Sequence, residues 1–214
     1  MTLQDVKLLA ARGEGLKIEF KKKATFPEKI VRELIAFANT SGGDLLIGVD
    51  DDGTVSGQRY IEEEIYVMEK AIKEFIFPVI EYEVISFKLN DKKGVAVFKI
   101  PVSLNRPHYL KEKDRKQGYI RVADRSVQAS KEVWEILRRG KNPKDMVFTY
   151  GTKEEILMKA LGVSDRITLK EFAKLAKLPR FMASKTLVRL VLANVLKIHP
   201  RESEDYFTLK DSEV

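Results

Sequence analysis

Glu14 and Glu19 stand five residues apart, Lys21-Lys22-Lys23 follow at once, and Asp50-Asp51-Asp52 comes about thirty residues later. Acids placed around a lysine run can do two kinds of chemistry. Carboxylates can hold Mg²⁺ or Mn²⁺, hard cations that prefer oxygen ligands, polarise a phosphate and activate water. Alternatively the lysines form a phosphate-binding surface, because sequence-independent affinity for nucleic acid comes from neutralising phosphates. Both readings point to nucleic acid. The bland reading of the lysines is a solvated basic edge that keeps a strand from pairing with another chain. Glu14 and Glu19, an odd number apart, face opposite sides of an extended strand unless a turn at Gly13 or Gly15 intervenes.

Other chemistries are bounded by composition. The 214 residues contain no cysteine, which excludes disulfides and thiolate zinc sites, and only 2 histidines, too few for a histidine-built metal centre. Any metal must therefore sit on oxygens. Lys+Arg number 39 against 32 Asp+Glu, a formal charge of +7 that favours polyanionic partners. A phosphate-wrapping loop of the Gly-x-x-x-x-Gly-Lys-Ser/Thr type is missing, and Asn39-Thr40-Ser41-Gly42-Gly43 lacks the lysine and opens a strand, so ATP hydrolysis is disfavoured. No apolar run approaches the roughly 18 residues of a membrane span, and Met1 to Asp5 lacks a charged leader before an apolar core. The expectation is a cytoplasmic protein without a membrane partner.

Alternating helices and strands must position these residues. A helix over Glu28 to Asn39 carries the apolar stripe Ile30, Val31, Leu34, Ile35, Phe37 and Ala38, and Gly42-Gly43 lets the chain turn into a buried strand, Leu45 to Val49. Asp50 closes that strand, while Asp51-Asp52-Gly53 shapes a turn before a short return at Thr54 to Gly57. Ile61, Ile65, Met68 and Ile72 mark an amphipathic helix ended by Pro78. Val79 to Lys88 and Val95 to Ile100 pair as a hairpin, Tyr119 to Val122 is a short strand, and Ser130 caps a helix carrying Val133, Trp134 and Leu137. Trp134 is expected in the core, and His108 in a local hydrogen-bond network. Lys111, Lys113, Arg115 and Lys116, interrupted by Glu112 and Asp114, read as a mobile loop.

Charge, Gly and Pro at 138–144 mark a domain edge, placed near 145, which divides the chain into 1–145 and 146–214. Beyond it, Thr152 with Glu155 and Thr168 with Glu171 read as capping boxes, and a third helix, about Met182 to Ala193, ends at Asn194 in a left-handed cap. Val195 to His199 and Tyr206 to Leu209 close a hairpin. Three helices and a hairpin resemble a winged helix-turn-helix over about residues 152–210. On its third helix Phe181, Lys185 and Arg189 recur at four-residue steps with Ser184 alongside and Arg180 just before, an outward face suited to phosphates and base edges. The acidic tip Glu202, Glu204 and Asp205 argues instead for protein contacts.

Glu14, Glu19-Phe20-Lys21, Ala36 to Gly43 and Leu45 to Gly53, with the later blocks Pro107-His108-Tyr109, Tyr119-Ile120-Arg121 and Ala129-Ser130, resemble the Schlafen AlbA-type DNA-binding domain over roughly residues 1–140. The chain departs from that pattern at Val122-Ala123-Asp124-Arg125, where the family usually has a glycine soon after the arginine. The resemblance implies a mixed-sheet α+β or α/β domain ahead of the small winged-helix domain. It also implies that Glu14, Glu19 and Asp50 match by position the acids of relatives that cleave structured RNA, with Mg or Mn as cofactor if the chain is such a nuclease. Animal Schlafen cores resemble two such lobes in one chain, so a single lobe suggests a homodimer. Lys21, Lys22, Lys23, Arg121 and Arg125 would cradle phosphates, and Arg180, Ser184, Lys185 and Arg189 would face duplex DNA. The favoured reading is a DNA-binding transcriptional regulator; the alternative is a metal-dependent endonuclease acting on structured RNA or DNA.

Overall fold

The computed structural model describes residues 1–112, 115–140 and 150–210, and the chain forms two compact units, Met1–Gln128 and Ala129–Val214. The stretch 141–149, which holds the expected domain edge near 145, lies outside the described residues. On its N-terminal side, helix α4 (Lys131–Arg139) packs against α7 (Arg180–Leu192), so α4 travels with the second unit.

In the first unit, α1 (Leu3–Ala10) is opened by a capping box in which the Thr2 N–H donates to Asp5 and the Asp5 N–H donates to Thr2. Strand β1 (Ile18–Lys21) runs parallel to β2 (Gly43–Ile47), joined by α2 (Pro27–Asn39). β2 and the short β3 (Gln58–Arg59) pair with successive stretches of β6 (Lys93–Ile100), whose other edge takes β5 (Glu83–Asn90) as the expected hairpin. Between them α3 (Ile61–Phe75) leads into β4 (Ile76–Phe77). A second, antiparallel sheet follows in the order β4, β7 (Tyr109–Glu112), β8 (Arg115–Val122), β9 (Arg125–Gln128). The basic segment expected to be a loop is thus a β7–β8 hairpin, with Lys113 and Asp114 outside the described residues.

Period-two alternation sorts the side chains. Leu45, Ile47, Ala96 and Phe98 face α2 and α3, whose Leu34, Phe37, Met68 and Ile72 complete the main core, while Phe20, Leu46, Val95 and Val97 face α1. At the end of α2, Gly42 has φ +70, and a Cβ there would lie 2.7 Å from the Ile100 carbonyl oxygen, so the close return of β2 needs glycine.

The second unit runs α4, α5 (Thr152–Ser164), β10 (Ile167–Thr168), α6 (Leu169–Leu175), α7, β11 (Leu196–His199) and β12 (Tyr206–Leu209), with a three-stranded antiparallel sheet in the order β10, β12, β11. Leu157, Leu161, Phe172, Ala183, Leu187, Leu190 and Phe207 form its core. Thr168 and Glu171 form the expected capping box, and Asn194 holds φ 64. The other box is displaced by one residue: Gly151 is the N-cap of α5, Glu154 accepts from its N–H at 3.1 Å, and Thr152 is already helical. Trp134 is half-buried rather than a core residue.

Ala123 occupies the left-handed region at φ 54 in the tight turn between Val122 and Arg125. A left-handed conformation costs an L-residue roughly 1–2 kcal/mol, of which glycine's larger unfolded-state entropy takes back about half. Ala123→Gly is expected to stabilise the protein by about 0.5–1 kcal/mol in chemical denaturation followed by circular dichroism. No gain, or a loss, would show that the turn is relaxed with alanine.

Candidate functional site

Arg121 organises the first unit's charged residues. β8 turns its side chain toward α2, where only 3% of it is exposed and the guanidinium lies 5.0 Å from the Phe37 ring centroid. Its Nη2 donates to Glu19 Oε2 at 2.7 Å and Nη1 to Glu33 Oε2 at 2.5 Å. Nε and Nη2 donate to the Gly15 carbonyl at 3.1 and 3.0 Å, Nη2 also reaches the Ile18 carbonyl at 3.3 Å, and Nη1 reaches Ser126 Oγ at 3.3 Å. This saturates the planar fork of donors that makes arginine suited to buried pairing. Its backbone N–H donates to Thr40 Oγ1 at 2.9 Å, tying β8 to the end of α2.

Glu19 is buried and lies between two cations, since its other oxygen accepts from Lys21 Nζ, which also donates to the Phe20 carbonyl at 2.8 Å. Strand alternation places Glu19 and Lys21 on one face of β1, with Phe20 in the core behind. Burial pushes the Glu33 carboxyl above its ordinary range and the neighbouring Glu19 charge adds to this, against the pull of the Ser126 hydroxyl, Arg121 and Lys21.

Glu14 and Asp50, the other expected acids, are held by other partners. Glu14 is exposed, and its Oε1 accepts from the Phe20 N–H at 2.8 Å; Gly13 at φ +78 and the Gly15–Ile18 bridge supply the turn that brings it back to β1. Asp50 pairs with Lys22 at 2.9 Å, and hydrogen bonding to Lys22 lowers its carboxyl and raises the lysine. Among the described residues no group of three or more His, Cys, Asp or Glu side chains is arranged to hold a metal ion, so Glu14, Glu19 and Asp50 are not gathered. Arg121, expected to cradle phosphate, is enclosed by its carboxylates; Lys21 and Lys22 each have an acid partner, and Lys23 and Arg125 are exposed.

Asn39 escaped the sequence reading as a key residue. It is buried, donates through Nδ2 to the carbonyls of His108 and Tyr119, both at 2.9 Å, and accepts from the His108 N–H at 2.8 Å. Its sequence signal was a polar side chain closing an apolar helical stripe. His108 completes the local network expected of it, with Nδ1 2.6 Å from the Pro78 carbonyl and Nε2 2.6 Å from Ser103 Oγ.

In the second unit, Arg180 opens α7, and Lys185 is exposed with half-buried Arg189 one turn further on. Ser184, expected on the same outward face, instead donates to Glu132 on α4 at 2.5 Å, because α4 covers that side of α7. The α6–α7 turn passes through Lys177 at φ 51 and Pro179.

Two expectations follow from the Arg121 cluster. Removing one partner of a buried pair strands the other charge, so Arg121→Ala should cost about 3–5 kcal/mol in denaturant unfolding; a cost below about 1 kcal/mol would mean the cluster does not hold the unit together. A carboxyl raised by folding contributes stability that is present below its unfolded pKa and lost as pH rises through its folded value. The stability of the wild type relative to Glu33→Gln is therefore expected to fall as pH rises through the window that starts at the ordinary glutamate value, 4.5, and extends upward. A difference that stays constant or grows with pH would contradict the raised pKa.

A comparison with curated protein sequences gives no match. Among solved structures, the chain is similar to the solution structure of the N-terminal domain of a protein from Nitrosomonas europaea, described as related to the ATP-dependent DNA helicase RecG, at 22% identity, over 54% of this chain and 86% of that one, with a TM-score of 0.41. It is also similar to the DIP2311 protein of Corynebacterium diphtheriae at 17% identity, over 86% of this chain but 36% of that one, with a TM-score of 0.47. The sequence model of the family described as Schlafen, AlbA_2 matches residues 14–130, a span that begins at the Glu14 turn, contains Glu19, Asn39 and Arg121, and ends at the Ser130 cap. That match covers more than half of the chain, which therefore belongs to the Schlafen AlbA_2 family.

Proposed function

We propose that the chain is a DNA-binding protein, most simply a transcriptional regulator, in which the second unit is a winged helix that places α7 in the major groove. The observation that carries this reading is the cationic surface of α6 and α7: Lys170, Lys174, Lys177, Arg180 and Lys185 are exposed and Arg189 is half-exposed, against the single acid Glu171. The element order supports it, since helix, strand, helix, four-residue turn, helix and hairpin is the arrangement in which a second helix is presented to a groove. Nucleic-acid binding is also what the family resemblance implies. Pairing as a homodimer would set two α7 helices on two half-sites.

The roles within α7 differ by position. Arg180 at the helix start and Lys185 suit phosphates, which give affinity and salt dependence without sequence information. Arg189 has the fork that pairs with a guanine edge. In the full chain, Arg189→Ala should reduce discrimination between a preferred duplex and a single-base variant by about 1–3 kcal/mol. Lys185→Ala should weaken all duplexes alike and lower the slope of log affinity against log salt by about 1. Both are read by fluorescence anisotropy across a salt series. Duplex binding that is absent at low salt, or unchanged when Arg180, Lys185 and Arg189 are all alanine, would turn the second unit into a protein-contact module.

A further inference from the structure

A cleft of about 440 Å³ opens in the first unit between the start of α3, the strand β3 and the β5–β6 turn. Four cations line it: Arg59, Lys88, Lys92 and Lys93. Glu62 and Asp91 lie at the same cleft, yet among the described residues none of the four cations is within ion-pair distance of a carboxylate. Lys93 spends a hydrogen bond only on the Ser56 carbonyl, at 3.1 Å. Lys21, Lys22 and Arg121 in the same unit are each neutralised by an internal acid.

The strand register makes the imbalance costly. Arg59 stands directly opposite Lys93 in the antiparallel β3–β6 pair, and like charges opposed across two strands repel unless an anion lies between or beside them. The turn carrying Lys92 is held in place, since Asn90 Oδ1 accepts from the N–H groups of Lys92 and Lys93 at 2.9 and 3.0 Å. At the mouth, Tyr60 is 70% exposed at the start of α3. Close packing fixes it there: a Cβ on Gly94 would meet Ile61 Cγ2 at 2.7 Å, so the first residue of α3 rests directly on β6.

We propose that this cleft binds a nucleotide unit of single-stranded nucleic acid, its phosphate held by Arg59, Lys88, Lys92 and Lys93 and its base stacked on Tyr60. Unpaired cations beside a solvent-facing aromatic ring are the two parts that sequence-tolerant single-strand recognition uses, one for phosphate and one for the face of a base. The cleft also falls within the size range of small-molecule sites, so a free nucleoside phosphate shares the chemistry. The site belongs to the first unit, whereas the proposed duplex contacts of α7 belong to the second.

The test is fluorescence anisotropy of the full chain with a labelled oligothymidylate at low salt, with adenosine monophosphate and inorganic pyrophosphate as competitors. Wild-type protein should bind the strand. Tyr60→Ala should weaken binding by about tenfold while Tyr60→Phe, which keeps the ring, stays near wild type. Lys88→Gln with Lys92→Gln should lower the salt slope by roughly 0.7 for each phosphate no longer neutralised. Displacement by adenosine monophosphate would assign the cleft to a free nucleotide, and displacement only by unlabelled strand would assign it to a chain. Failure of the wild type to bind, or Tyr60→Ala and the lysine pair both binding as tightly as wild type, overturns the proposal; pyrophosphate displacing the strand while Tyr60→Ala has no effect overturns the stacking role. Duplex binding through α7 is a separate readout, so either assignment can fail while the other stands.

Discussion

A guanidinium withdrawn from water needs an acceptor for every N–H it carries, and Arg121 finds its acceptors on three different elements. Glu19 and the Ile18 carbonyl come from β1, Glu33 from α2 and Ser126 from β9, while the Gly15 carbonyl comes from the turn before β1. Gly15, Ile18, Glu19 and Glu33 precede Arg121 by 88 to 106 residues, so the cluster records the long-range closure of the first unit in one place. The charges cannot be separated cheaply, because each would be left buried and unpaired. Thr40 and Asn39 extend the constraint: one accepts from the Arg121 backbone and the other clasps His108 and Tyr119, so the end of α2 is fixed to β7 and β8 by hydrogen bonds as well as by Phe37 packing.

This constraint sorts the unit's charges into two populations. Glu19 with Lys21, neighbours along β1, and Asp50 with Lys22, brought together from 28 residues apart, neutralise one another within the fold. Among the described residues Arg59, Lys88, Lys92 and Lys93 on the β3 and β5–β6 edge have no carboxylate within ion-pair distance, and Arg59 stands opposite Lys93 across the strand pair. In the second unit the division repeats, with Glu154 capping α5 and Glu132 bonding Ser184 while Arg180 and Lys185 stay in solvent. Electrostatic capacity for a polyanion therefore lies on edges and on one helix face, where solvation keeps long side chains adaptable.

Local chemistry was legible in the sequence. The apolar stripes of α2 and α3 and the β5–β6 hairpin, together with the Ser130 and Thr168 caps and the left-handed Asn194, each depend on residues a few positions apart. What was not legible depends on residues brought together from a distance. The pairing of Glu19 with Arg121, about a hundred residues later, lies beyond any local pattern. Helical spacing puts Ser184 outward, yet α4 covers it, and the alternating charges of β7 and the start of β8 hide their pairing from the sequence. The missing glycine after Arg121 had a local answer, since Ala123 takes the left-handed conformation itself.

The account's central claim is that the charged motif around Glu19 and Arg121 holds the fold together, while the proposed contact with duplex DNA falls to α7. Titrating the isotope-labelled full chain with duplex DNA, and following backbone amide and arginine side-chain resonances, tests this most directly. The account predicts that the largest shifts fall on Arg180 to Arg189 and that the Arg121 guanidinium signals stay in place. Shifts concentrated on Glu19, Lys21 and Arg121, with α7 silent, would contradict it.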